Sequence, residues 1–542
     1  MVQIKTINYM EKVQYKKEPS CEENGKSVCC NEEVVYTIAV RSEHLLLDCS
    51  IAVESDLDGM VEVFHLERVP CATPWREGAD DYIIDGDLLL PDLLRPLGKM
   101  DVTLKYGQWN TYCVTVNQKG EKMPVGEHSV AVIFRDANGE ELGRSVYVVN
   151  VLPVELPKAT LPYTNWVHYD CLSDWYGEKP FTERFYQILE KYIKNAVLHG
   201  MNMVYTPLFT PPLDTQIGGE RPTAQLIGVY ERDGAYSFDF SKLREFVEKM
   251  RAWGIAYFEF SHLFTQWGAE CCPKIEVCTS QGVEKRFGWA VDSQSAEYTA
   301  FLRAFLPALN GFVKENGLVG KCYYHISDEP RLEHIERYAK LYEFVSALLP
   351  DVRGMDAMSE YSFYERGIVD TVVVATSAAD KFIENQVENY WAYHCVTQNG
   401  SYLSNRFIAM PGERTRVIGL QLYLTGVKGF LHWGYNFYYS YLSKFKINPY
   451  ECTDAAGVCT SGDPFIVYPT KDGLLNSLRI KYIRAAFADY AALELLEKKI
   501  GREKVEAFLM ENGLSKNFTD YPHGVEWLEG LRQKINEELM RL

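Results

Sequence analysis

The strongest constraint on this chain is a rhythm of eight short apolar runs, at 164–168, 203–207, 256–262, 322–327, 352–356, 371–375, 390–395 and 429–434. Amphipathic helical stretches fall between most of them, at 185–198, 241–253, 297–313, 332–348 and 414–425, and another, 477–496, follows the last. Side chains repeat every second residue on a strand and every 3.6 on a helix, so the two patterns do not interchange. Strands joined through helices run parallel, and eight such units is the count for a (β/α)8, TIM-like barrel. Such a barrel carries its chemistry on the loops that follow the strands. Three of those loops are long, at 208–237, 263–294 and 435–476, and long βα loops usually serve as lids, specificity loops or oligomer contacts.

Upstream the rhythm differs. The stretches 33–41, 45–52, 59–67, 111–117, 128–134 and 144–151 are short and rich in β-branched or apolar residues. Asp58-Gly59, Lys119-Gly120 and Asn138-Gly139 supply turn signals, and together these features read as a β-sandwich. The segment Val151-Leu152-Pro153-Val154-Glu155-Leu156-Pro157 reads as a proline-stiffened connector. A chain of 542 residues exceeds one ordinary core. The expected organisation is a multidomain α/β plus β protein: a β-sandwich over 1–157, a barrel over 158–500 and a short helical C-terminal extension over 501–542.

The formal net charge of −18 argues against a nucleic-acid partner and against an anionic membrane surface. Residues 1–20 are polar and lack the apolar centre of a signal peptide, and no apolar run is long enough to span a bilayer. The expected compartment is cytoplasmic, or extracellular if a leader has been removed. Fourteen cysteines without CxxC spacing read as buried thiols; Cys452 and Cys459 share a loop and have the spacing to bridge. There is no phosphate-binding loop, HxH or HExxH, so neither cofactor nor metal is expected. A homo-oligomer is compatible with these features.

The chemistry concentrates in Tyr323-Tyr324-His325-Ile326-Ser327-Asp328-Glu329-Pro330, a strand that runs into two adjacent carboxylates. An acid before a proline also makes an ordinary helix start. Two acids exceed what one cap needs, and a buried parallel strand seldom carries a histidine and two tyrosines. Both acids reach one pocket only if the backbone leaves β geometry there. Pro330 favours an extended Glu329 followed by a helix. Paired carboxylates at a barrel mouth suit glycoside hydrolysis.

Strand-Ser-Asp-Glu-Pro resembles the signature of glycoside hydrolase family 123 and its relative, domain of unknown function 4091. Further patches in matching order are Tyr390-Trp391-Ala392-Tyr393-His394-Cys395 with Asn405-Arg406-Phe407, then Gly429-Phe430-Leu431-His432-Trp433-Gly434-Tyr435-Asn436. Ser461-Gly462-Asp463-Pro464, Tyr468-Pro469, Asn476-Ser477-Leu478-Arg479 and Ala488-Asp489-Tyr490 complete the resemblance. Pro464, Thr470 and Ala488 depart from the family pattern of glycine, glycine and an acid.

The resemblance implies a β-N-acetylgalactosaminidase or β-N-acetylhexosaminidase with retaining, substrate-assisted chemistry on a glycan or glycoconjugate. Glu329 would protonate the leaving oxygen with a raised pKa. Asp328, ionised, would hold the 2-acetamido group. Adjacent acids suit this mechanism, because an ordinary retaining pair flanks the bond at roughly 5–5.5 Å. Trp391, Tyr393 and Trp433 either wall a sugar pocket or fill the barrel core. Asn436 and Asn405 either bind hydroxyls or cap loops. His168, His262 and His325 are ligands or packed histidines, and Asp356 orients a pocket group or caps a helix. Two alternatives stand: a glycosidase of other specificity with Glu259 as its second carboxylate, or a non-catalytic carbohydrate-binding relative.

Overall fold

A computed structural model describes residues 1–57, 59–75, 80–83, 89–98 and 101–541. Asp58 of the expected turn and Leu542 of the expected tail lie outside the described residues.

The N-terminal region forms two five-stranded sheets. In the first, Val2–Asn8, Val34–Ser42, Trp109–Val116, Val61–Pro70 and Leu89–Pro96 lie side by side and antiparallel. In the second the order is Gly25–Cys29, Glu141–Leu152, Gly126–Arg135, Leu46–Ser55 and Val102–Leu104. Val34, Tyr36, Ile38 and Val40 project from one sheet onto Val130, Val132 and Phe134 of the other. The Tyr36 and Tyr147 rings stack between them at 4.1 Å. The alternate residues Val35 and Cys113 face away and join the core beneath the barrel. The strands Val34–Ser42 and Trp109–Val116 are thus covered on both faces, which explains their nearly continuous burial.

All six strands expected here are present, and four others were not expected. Leu89–Pro96 contains Pro91 and Pro96, residues that interrupt a strand pattern. It is an edge strand with a bulge opposite Pro91, the setting that tolerates proline. Val2–Asn8 and Gly25–Cys29 are short and polar on one side, so their pairing comes from neighbours far along the chain.

The eight expected parallel strands close into a barrel: Tyr163–Asn165, Met203–Thr206, Tyr257–Phe260, Cys322–Tyr324, Arg353–Ala357, Thr371–Ala375, Tyr390–Tyr393 and Phe430–His432. Pairing of Tyr163 with Phe430 completes the ring. Tyr205, Tyr323, Met355, Val373, Trp391 and Leu431 fill the interior, while alternate residues such as Val204, Phe258, Val372 and Phe430 meet the surrounding helices. The helical layer is less regular than the strands. Full helices at Glu183–Leu198, Ser241–Ala252, Ala296–Glu315 and Ile335–Leu348 contrast with five-residue helices at Tyr361–Glu365 and Asp380–Glu384.

The long loops carry structure the sequence did not signal, including a two-stranded sheet of Val467–Pro469 and Leu474–Asn476 in the third. Gly228–Arg232, Ala235–Asp239, Ile275–Thr279 and Gly282–Phe287 join into a four-stranded sheet above the second and third barrel strands. Ser477 caps the helix Leu478–Ile500 by accepting from the Ile480 amide at 3.2 Å. At the second helical position, the buried Arg479 forms a two-pronged pair with Asp92 of the N-terminal sheet, at 2.8 and 2.9 Å. Asp489 on the same helix receives Arg416 at 2.8 Å and Arg532 of the terminal helix Val525–Arg541 at 3.1 Å. The Ser-Leu-Arg and Ala-Asp-Tyr patches therefore tie the barrel to its flanking regions. All fourteen cysteines are thiols, and no disulfide joins Cys452 to Cys459. No helix among the described residues is long and apolar enough to cross a membrane.

Candidate active site

Segment 325–329 leaves the fourth barrel strand under restraint at nearly every residue. Asp356, at the end of the fifth strand, accepts from the amides of Ile326 at 2.9 Å and Ser327 at 3.3 Å. Its other oxygen meets His325 Nδ1 at 2.9 Å, and the Tyr338 hydroxyl donates at 2.5 Å to the same oxygen as the two amides. The Ser327 hydroxyl donates to the Thr265 carbonyl, the Trp267 amide to the Asp328 carbonyl, and the Glu329 amide to the Ala357 carbonyl, at 2.8, 3.0 and 3.1 Å.

The backbone does leave β geometry at the acid pair, but not as expected. Glu329 sits in the left-handed region with φ 43°, where Pro330 had argued for an extended residue. Such a conformation costs of order 1–3 kcal/mol in a non-glycine residue and persists only where surroundings over-determine it. Here the Ala357 contact and a bond from the Tyr393 hydroxyl to Glu329 Oε1, at 2.8 Å, do so. Both acids stand half-buried at the barrel mouth.

A third carboxylate joins them. Asp214 lies in the loop after the second strand, with its amide bonded to Gln266 Oε1 at 2.6 Å. Burial pushes its pKa up to about 6, with the charges of Glu329 and Asp170 adding to the rise and Arg221 opposing it. Burial likewise drives Asp328 well above the usual carboxylate range, reinforced by Glu329, Asp214 and Asp356 and opposed by His325. Three acids gather at this corner with little cationic compensation, which disfavours charge on all of them at once.

Directly beneath lies a layer of different character. Glu259 is fully buried and accepts from Thr164 Oγ1 at 2.7 Å and Trp166 Nε1 at 2.8 Å. His325 spans Glu259 and Asp356, at 2.7 and 2.9 Å. Burial alone would lower the His325 pKa, but bonds to the two carboxylates raise it to about 9, so the ring is an imidazolium. His262 stacks on it at 4.2 Å and is held neutral by burial and by that charge. Glu259 thus has its oxygens committed inside the barrel and does not open onto the mouth, which removes it as a second catalytic acid.

The other sequence candidates divide. Tyr393 touches Glu329, and Trp433 is half-buried with its indole N–H bonded to Asp463 at 3.1 Å. Trp391 belongs to the barrel interior, packed edge-on against Tyr323 at 5.4 Å; a Cβ at Gly429 would overlap its ring. Asn436 is fully buried and exchanges both amide groups with the His168 backbone at 2.9 and 3.1 Å. Asn405 donates to the carbonyls of Cys395 and Gln398, both at 2.8 Å. His168 bonds the Trp433 carbonyl at 2.9 Å, and burial lowers its pKa to about 3. These three hold loops together through their bonds to backbone groups.

Asp214, Gln266 and the 41 % exposed Trp267 are the neighbours that sequence reasoning missed. They sit on irregular loops, where nothing local distinguishes them.

Two trios of donor atoms come within 4.8 Å of one another, His168-Asp170-Cys171 and His262-His325-Asp356. Neither fits a metal. Asp170 pairs with Arg221 at 2.5 Å, both His325 nitrogens serve carboxylates, and the stacked imidazoles lie nearly parallel instead of converging.

Comparison with known proteins agrees with this architecture. One solved structure, a family 123 glycoside hydrolase from Clostridium perfringens studied for glycolipid glycan hydrolysis, superposes with a TM-score of 0.73 at 14% identity. That match covers 99% of this chain and 97% of the other. A family 2 β-galacturonidase from Eisenbergiella tayi gives a TM-score of 0.30 at 11% identity, over 84% and 69% of the two chains. A family 5 mannosidase from Rhizomucor miehei gives 0.34 at 12% identity, over 67% and 97%. No curated protein matches the chain. The sequence model of the glycoside hydrolase 123 catalytic domain matches residues 166–496, well over half the chain, and the chain accordingly belongs to glycoside hydrolase family 123.

Proposed function

We propose that this glycoside hydrolase is a retaining, substrate-assisted β-N-acetylgalactosaminidase or β-N-acetylhexosaminidase of the exo type. It works on a (β/α)8-type barrel, with the 1–157 sandwich and the 501–542 helices as flanking domains. The observation that carries the reading is the adjacency of Asp328 and Glu329 on one restrained corner at the carboxyl end of the fourth barrel strand. Glu329, positioned by Tyr393, protonates the glycosidic oxygen. Asp328 accepts the N–H of the 2-acetamido group while its carbonyl attacks the anomeric carbon. Asp328 acts as the carboxylate in this step, any proton it carries passing to solvent water as the substrate binds, and the positive charge that grows on the acetamido group stabilises that ionised form. Trp433 offers its indole face to the sugar.

A second reading is favoured by Asp214, whose charge is felt at Asp328 and which itself feels Glu329. In an ordinary retaining glycosidase Asp214 would be the nucleophile. Aryl β-glycosides with and without the acetamido group, tested on wild type, Asp328→Asn, Glu329→Gln and Asp214→Asn, separate the two. Turnover confined to acetamido sugars and lost in Asp328→Asn supports substrate assistance. Turnover of plain sugars that depends on Asp214 and not on Asp328 replaces it with the second reading.

A further inference from the structure

The loop after the third barrel strand runs alongside the segment that carries the acid pair. The Leu263 amide donates to the His325 carbonyl and the Phe264 amide to the Ile326 carbonyl, each at 3.1 Å, and the Trp267 amide then meets the Asp328 carbonyl at 3.0 Å. Gln266 accepts from the Asp214 amide at 2.6 Å and donates to the Thr215 carbonyl at 3.1 Å. On the other flank, a Cβ added to Gly268 would come within 3.1 Å of the His334 ring. Residue 267 is therefore tied to the acid cluster on both sides, directly to Asp328 and through Gln266 to Asp214. The side chain is the part left in solvent: Gln266 is buried, whereas Trp267 is 41 % exposed.

The backbone at this corner is strained at three places. Asp214, Trp267 and Glu329 have φ of 49°, 56° and 43°, so three non-glycine residues in the left-handed region meet there. That conformation is uncommon outside glycine, asparagine and aspartate, and a bulky side chain in it is an outlier. Such residues persist where the surroundings over-determine them, and they cluster at active sites and ligand clamps. A loop that needed only a turn would use glycine, as the next position does with Gly268 at φ 128°. The other indole of the site, Trp433, is half-buried, held by its N–H on Asp463 and packed edge-on by His168 and Phe437. With Asp328 and Glu329 also half-buried, Trp267 is the outermost member of the group.

We propose that Trp267 is a specificity-determining residue whose indole stacks on the second saccharide unit of a bound glycan. One face of a pyranose presents several C–H groups, and an exposed indole offers that face a flat, apolar surface carrying the negative side of its quadrupole. The outward position of Trp267 suits the part of a substrate that lies beyond Asp328 and Glu329. In exo cleavage the reacting hexosamine is terminal, so a second unit is by definition the leaving group. The inference rests on the glycosidase reading of the adjoining acids and adds the substrate class, an oligosaccharide or its conjugate in preference to a hexosamine linked to a small alcohol.

The test compares methyl β-N-acetylgalactosaminide with a disaccharide of β-linked N-acetylgalactosamine on a neutral hexose. Both release an alcohol, so the bond broken is matched and the second unit is the difference. The readout is the ratio of kcat/KM, disaccharide over methyl glycoside, within each protein. A stacked ring predicts a ratio of about tenfold in wild type. The ratio should fall toward unity in Trp267→Ala and in Trp267→Leu, which keeps apolar bulk without a flat ring, and stay well above unity in Trp267→Phe. Three results overturn the platform: a wild-type ratio near one, a ratio unchanged in Trp267→Ala with native circular dichroism, or equal ratios in the Leu and Phe variants. A loss that strikes both substrates alike leaves the ratio unchanged and counts against it. Turnover of an aryl β-N-acetylgalactosaminide by wild type reports the catalytic reading separately. If that fails, calorimetric binding of the same two ligands to Glu329→Gln, with and without Trp267→Ala, still decides the platform. Equal affinities, or binding of neither, refute it.

Discussion

Two layers of the barrel hold the same kinds of residue to opposite ends. At the mouth, Asp328, Glu329 and Asp214 gather half-buried with little cationic compensation, and two of them are pushed up in pKa. One layer below, Glu259 and Asp356 are fully buried, yet the His325 imidazolium lies between them and every oxygen has a donor. The contrast shows that acidity alone does not mark a functional carboxylate. Compensated acids brace the strand ends, and uncompensated acids at an opening are available to a substrate.

The sharpest way to break this comparison is Glu329→Gln. Loss of a positioned acid should lower kcat/KM on an aryl β-N-acetylgalactosaminide by about 10²–10⁴ while the melting temperature holds. A large melting shift with modest loss of activity would assign Glu329 to the bracing layer instead. Next is His325→Leu, which strands two buried carboxylates and should cost about 3–5 kcal/mol in urea unfolding. The sign with pH follows from its raised pKa. The native state holds the His325 proton more tightly than the unfolded chain, so its stabilisation is complete below about 6.5 and fades as pH rises through about 9. Urea midpoints between pH 6 and 9.5 should fall for wild type and stay flatter for the variant.

A smaller effect is expected from Tyr393→Phe, which removes the hydrogen bond to Glu329 and should reduce kcat about tenfold with little change in stability. The smallest comes from Asp214→Asn. The native Asp214 carboxyl holds its proton up to about 6, so wild type loses stability as pH rises from about 4 to 6. The variant should melt about 1–3 °C higher at pH 7.5 and no higher near pH 4. An unchanged difference across that range would mean that Asp214 is not part of the acid cluster.

By itself the sequence determined the eight barrel strands, six sandwich strands and the corner at Asp328-Glu329. Each of these is written in local periodicity, in turn residues or in a compact motif. It also drew attention to Tyr393, at a strand end in sequence, whose hydroxyl reaches Glu329. What only the tertiary structure decided is which polar residues remain available. Asn436, Asn405 and His168 looked free and are consumed by backbone groups hundreds of residues away or across a loop. Glu259 looked like a spare acid and is enclosed by Thr164, Trp166 and His325. Asp214 and Trp267 gave no local signal and arrive at the site through loop-to-loop hydrogen bonds. The left-handed Glu329 was also beyond the sequence, since Pro330 argues locally for extension. A hydrogen bond to the Ala357 carbonyl on the adjacent fifth strand and one from the Tyr393 hydroxyl on the seventh outweigh that preference, and such bonds exist only once the barrel has closed.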